Sequence, residues 1–176
     1  MMKKRFALAF ALTAALILPP VSTTSAQTAK KATAPAAGRT APDFNRKGLD
    51  GQTVHLAGYR GKVVLLNFWA TWCGPCLTEI PRFSAWQAKY GSQGFQVLGV
   101  SMDDDRAPVD KVYRKLKLTY PVVMGDDRLG DQYGGVVGLP ISYLIGADGK
   151  VLERYQSAAN LDAMEKRILG ALPKKN

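Results

Sequence analysis

Within Lys62-Val-Val-Leu-Leu-Asn-Phe68 the apolar residues form a continuous centre. That pattern predicts a strand covered on both faces, in the middle of an α/β sheet. From Leu77 to Tyr90, Ile80, Phe83 and Ala88 stand among polar residues at roughly helical spacing, which predicts a helix kinked at Pro81. Phe95 to Ser101 is the next strand candidate. Val109, Val112, Tyr113 and Leu116 then recur with helical period, with Pro108 in the first turn. Pro121 to Met124 reads as a short extended segment and Arg128 to Tyr133 as one helical turn. Ile141 to Ile145 and Lys150 to Tyr155 flank Ala147-Asp148-Gly149 as an antiparallel hairpin. Leu161, Met164, Ile168 and Leu172 share one face of a closing helix capped by Asn160.

Ahead of the central strand, Asp43-Phe44 and Thr53 to Leu56 read as short strands joined by a turn at Asp50-Gly51, an N-terminal hairpin added to the core. The whole order predicts one α/β domain over residues 41–176, a mixed β-sheet flanked by helices with an antiparallel edge. Residues 27–40, rich in Ala, Thr and Lys, read as a flexible linker. Residues 1–26 have the form of a cleavable secretory signal: basic Lys3, Lys4 and Arg5, an apolar run from Phe6 to Leu18, and a small-residue end at Thr24-Ser25-Ala26. The run is shorter than the ~20 residues that cross a bilayer. Export to the periplasm is therefore expected.

The chain is basic, with 24 Lys and Arg against 14 Asp and Glu for a net charge of +10. These charges are scattered and not interleaved with aromatics, so a solvated surface is expected and no nucleic-acid partner. The expected state is a monomer. The run Asp103-Asp104-Asp105 lacks the glycine and distal Glu of a calcium loop and reads as a solvated loop.

Export places the chain in an oxidising compartment, where cysteines usually serve as structural staples. The only two here, Cys73 and Cys76, lie in one Cys-Gly-Pro-Cys segment, and a bond between them closes a loop too small to constrain the unfolded chain much. The pair reads as chemical. A structural zinc site usually wants four ligands, and the single His55 reads as a plain strand side chain, so no metal site is expected. A strand handing over to a helix at Cys73 sets that sulfur among unpaired N–H groups that favour its thiolate, the attacking species in exchange. Cys73 is thus the expected nucleophile and Cys76, within the first helical turn, the resolving thiol. No separate cofactor is needed, the Cys73–Cys76 disulfide being itself the redox group.

Asn67-Phe-Trp-Ala-Thr-Trp-Cys-Gly-Pro-Cys76, with Ala41-Pro-Asp-Phe44, Gly61-Lys-Val-Val64, Glu79-Ile-Pro81, Gly138-Leu-Pro140 and Asp148-Gly-Lys150, resembles exported TlpA/ResA-type thiol-disulfide oxidoreductases of the thioredoxin superfamily. The resemblance implies a thioredoxin fold. It also implies a cis-proline at Pro140 that faces the disulfide and offers backbone hydrogen bonds to an extended substrate, with Leu139 in contact beside it. Trp72, Gly74 and Pro75 are expected on the same substrate-facing surface, and Trp69 in packing. Thioredoxins themselves carry a buried Asp where this chain has Asn67, which cannot titrate. Glu79 matches the acidic residue of the TlpA/ResA branch and is expected to take the proton of Cys76.

The partners so implied are exported proteins with thiols or disulfides, such as the haem-binding thiols of immature c-type cytochromes or copper-ligand thiols of oxidase assembly proteins, and a membrane thiol-disulfide electron donor. Gly-Pro between the cysteines argues for the reducing direction. A Cu(I)-binding metallochaperone and a thiol peroxidase are the alternative readings. No methionine pair or second His accompanies the cysteines, which counts against copper.

Overall fold

The structure is a computed structural model that describes residues 33–156 and 160–173. The expected signal segment 1–26 and the first part of the linker lie outside those residues. A two-stranded antiparallel sheet, β1 (Asn45–Lys47) with β2 (Thr53–His55), precedes a five-stranded sheet. The larger sheet has the order β5 (Val122–Met124), β4 (Phe95–Ser101), β3 (Val63–Trp69), β6 (Ile141–Ile145), β7 (Val151–Gln156). β3, β4 and β5 run parallel, while β6 and β7 pair antiparallel beside them. Among the described residues four α-helices accompany it: α1 (Gly74–Tyr90), α2 (Arg106–Lys115), α3 (Asp127–Gln132) and α4 (Leu161–Ala171).

β3 is central, and every one of its residues is buried, as its unbroken apolar run requires. Its side chains alternate between two cores. Val63, Leu65 and Trp69 face a cluster made with Ile80, Phe83 and Trp86 of α1, Val109 of α2, and Met164 and Ile168 of α4. Val64, Leu66 and Phe68 face the other, made with Phe44, Val54, Leu129, Tyr133 and Tyr143. The sheet is thus covered on both sides.

Three local readings shift. The first strand begins at Asn45 instead of Asp43, because Phe44 is drawn into the core and its carbonyl accepts the Leu56 N–H at 3.0 Å. The buried face of α1 is carried by Cys76, Glu79, Ile80, Phe83, Trp86 and Tyr90, whereas Ala88 is exposed; α1 runs through Pro81 as one helix. Structure also starts before residue 41. Gly38 donates to the Val151 carbonyl, Val151 to Arg39, and Ala41 to Gly149, so the end of the expected linker lies alongside the start of β7. The caps and turns hold as read: Asn160 accepts the Ala163 N–H at 3.0 Å, and Gly51 takes φ +83° at the β1–β2 turn, a backbone state that suits glycine.

Candidate active site

β3 ends at Trp69 and the chain turns through Ala70 to Cys73, whose N–H donates to the Ala70 carbonyl at 3.2 Å. Cys73 has extended backbone angles and caps α1, its Sγ accepting the Cys76 N–H at 3.2 Å. The first turn of a helix leaves such N–H groups unpaired, and a sulfur placed on one is stabilised most when it carries negative charge. Pro75 fits the opening turn because its missing N–H is not needed there. Cys73 and Cys76 are joined by a disulfide. Cys73 is 5% exposed and Cys76 1%, so the first is the more accessible of two sheltered residues.

Around the pair, Gly74 and Pro75 are exposed, and Trp72 holds its indole in solvent at 71% exposure. Trp69 is fully buried in the core. The Leu139–Pro140 peptide bond is cis, as the resemblance implied. Phe68 of β3 pairs with Ile141 of β6, so Pro140 enters the sheet at the same end at which β3 leaves for Cys73. Gly138, just before, takes φ +82°, and Leu139 is half-buried. The residues expected to face substrate are therefore gathered at one end of the sheet.

Glu79, three residues beyond Cys76 and so a neighbour on the same helical face, is 5% exposed. It is not a solvated first-turn charge. Asn67 lies between Leu65 and Trp69 on the α1 side of β3, donating its amide to the Ser142 hydroxyl at 3.0 Å. His55, on β2, pairs with Asp43 at 2.7 Å, and among the described residues no group of three or more His, Cys, Asp or Glu is placed to hold a metal.

One reading of the loop after β4 is corrected. Asp104 and Asp105 are exposed, but Asp103 is 8% exposed and accepts the Thr71 N–H at 2.9 Å, the Thr71 hydroxyl at 2.5 Å and the Ser101 hydroxyl at 2.7 Å. Three donors in an enclosed site explain why this carboxylate is not in water. A charge run gives no hint of donors 32 residues away.

Residues 37–154 match the family profile described as AhpC/TSA. The chain belongs to the AhpC/TSA family. A relative from Geobacillus thermodenitrificans (strain NG80-2), thiol-disulfide oxidoreductase ResA, is 42% identical over 120 residues, 68% of each chain. A solved structure assigned to a thiol:disulfide interchange protein DsbE of Chlorobium tepidum superposes with a TM-score of 0.74 at 37% identity, covering 80% of this chain and 100% of that one. A second protein, from Chlorobium tepidum TLS, a thiol:disulfide interchange protein of the thioredoxin family, gives 0.68 at 32% identity, covering 78% and 100%. This member of the AhpC/TSA family has the thioredoxin fold and is a thiol-disulfide oxidoreductase of the ResA/DsbE type, with Cys73 and Cys76 as its Cys-X-X-Cys pair.

Proposed function

We propose that the protein works in the periplasm as a reductant of disulfides in exported proteins. In the reduced state the Cys73 thiolate attacks one sulfur of a substrate disulfide, forming a mixed disulfide and releasing the first substrate thiolate. Cys76 then attacks Cys73, the Cys73–Cys76 disulfide forms, and the second substrate thiolate leaves. Two electrons pass to the substrate. Glu79 takes the Cys76 proton as that thiol attacks, and the backbone flanking cis-Pro140 pairs with the substrate while Trp72 and Leu139 give it an apolar footing. A membrane thiol-disulfide donor returns the pair to the dithiol.

The observation that carries this reading is the Cys76 N–H directed at Cys73 Sγ, which supports a leaving and attacking role for the first sulfur in preference to the second. The Gly-Pro dipeptide favours the reducing direction, and thiols destined for haem or copper in exported proteins are the substrate class that fits. A Cys76→Ser variant should accumulate mixed disulfides on Cys73, and their proteins name the substrates. Nothing accumulating on Cys73 would reject the assignment of roles. The potential measured against glutathione checks direction: a value near that of DsbA, about −120 mV, would reject the reductase reading.

A further inference from the structure

Thr71 stands two residues before Cys73, in the turn that the Cys73 N–H closes on Ala70. What holds that turn comes from the loop after β4. Asp103 accepts the Thr71 N–H on both oxygens, at 2.9 and 3.2 Å, and the Thr71 hydroxyl at 2.5 Å. The Ser101 hydroxyl donates to the same carboxylate at 2.7 Å and accepts the Asp103 N–H at 3.2 Å. These bonds are charge-assisted and sheltered from water, the circumstances in which a hydrogen bond fixes geometry best. Ser101 is the register partner of Trp69, and the Met102 N–H donates to the Trp69 carbonyl at 2.8 Å, so the clamp hangs from the paired ends of β3 and β4.

We propose that Asp103 is a positioning residue for the redox pair, holding the Ala70–Cys73 turn in one place whether or not the two sulfurs are bonded. The disulfide itself ties Cys73 to Cys76 only in the oxidised protein. After reduction, a fixed turn keeps one thiol at high effective concentration beside the other and so favours closing the bond. Loosening the turn favours the dithiol. The inference rests on the exchange chemistry of the pair and not on its direction or substrates in the cell.

The test is the equilibrium with glutathione, in which the protein disulfide plus two glutathione thiols gives the protein dithiol plus glutathione disulfide, two electrons and two protons passing to the protein. Asp103→Ala should move this equilibrium toward the dithiol by about tenfold, the loss of roughly one hydrogen bond's worth of closure, which is about 30 mV. Asp103→Asn keeps an acceptor for the Thr71 N–H, and Thr71→Val removes only the hydroxyl. Both should move it less, in the same direction. Urea unfolding of each oxidised variant is run beside it. If stability falls while all three equilibria stay at the wild-type value, the role is structural only and the proposal is overturned. Should Asp103→Ala fail to fold, unchanged equilibria in the other two overturn it equally. A wild-type pair that does not exchange with glutathione at all would instead sink the oxidoreductase chemistry, which separates the two failures.

Discussion

The side-chain amide of Asn67 donates to the Ser142 hydroxyl across a register pair of β3 and β6, both residues being buried. An ionised carboxylate at residue 67 would lose water without gaining a positive partner there, so its pKa would rise above the free value. Asn67→Asp should therefore cost little below about pH 4, where the new acid is protonated in folded and unfolded chains alike. The cost should grow as pH rises from there toward the folded value, reaching at least about 2 kcal/mol at pH 7. Urea unfolding at pH 4 and pH 7 reads it; a stability difference from wild type that is independent of pH would contradict the assigned environment.

Glu79→Gln keeps the shape of the side chain and removes its ability to take a proton. Attack by Cys73 should proceed as before, while release of the mixed disulfide by Cys76 slows by about 10²-fold. Rapid-quench measurement of the mixed disulfide distinguishes the two steps. Equal slowing of alkylation at Cys73 would show that Glu79 acts on the first sulfur instead.

Trp72 has most of its surface in water, so replacing it with Ala should leave stability within about 0.5 kcal/mol. Its loss should be felt by protein substrates, as a KM raised roughly tenfold, about 1–2 kcal/mol. Rates with a small disulfide such as hydroxyethyl disulfide should barely change. A parallel fall for both substrates would remove Trp72 from the docking surface.

Glu165 on α4 accepts the Tyr90 hydroxyl at 2.6 Å and an Arg82 N–H at 3.0 Å, fastening α4 to α1. Tyr90 and then Arg82 pull its pKa down to about 2 from an ordinary 4.5, against an opposing push from burial. A carboxylate depressed in the folded state stabilises above its unfolded value and loses that contribution as pH falls through the folded one. The stability gap between wild type and Glu165→Gln should thus be full above about pH 5, on the order of 1 kcal/mol for a partly exposed pair, and should close toward pH 2. Thermal melts across that range measure it.

Much of this architecture is visible in the residues before any fold is known. The apolar run at Val63 to Leu66 marks the central strand because a strand covered on both faces has no polar side to show, and Cys-Gly-Pro-Cys behind it places the chemistry at a helix start. Asp50-Gly51 and Asn160 are local signals with local causes. Asp103 is the counter-example, a charge in a charged run whose burial depends on Ser101 beside it and on Thr71, which the pairing of β3 with β4 brings next to it. The segment before Ala41 is another, since backbone pairing with β7 requires nothing of its Ala, Gly and Thr side chains. Trp86 and Tyr90 took the α1 face where Ala88 stood in the periodic reading, because aromatic bulk fills the space between α1 and the sheet better than a methyl group.

The pairing of Gly38 to Ala41 with the turn at Gly149 to Val151 sits where β3 begins, and Cys73 follows where β3 ends. Seven residues of strand separate the two, roughly 23 Å. The two ends of β3 thus have separate tasks, backbone pairing with the first described residues at one and the sheltered disulfide at the other, so a change at the Gly38 end is a strand's length from the chemistry.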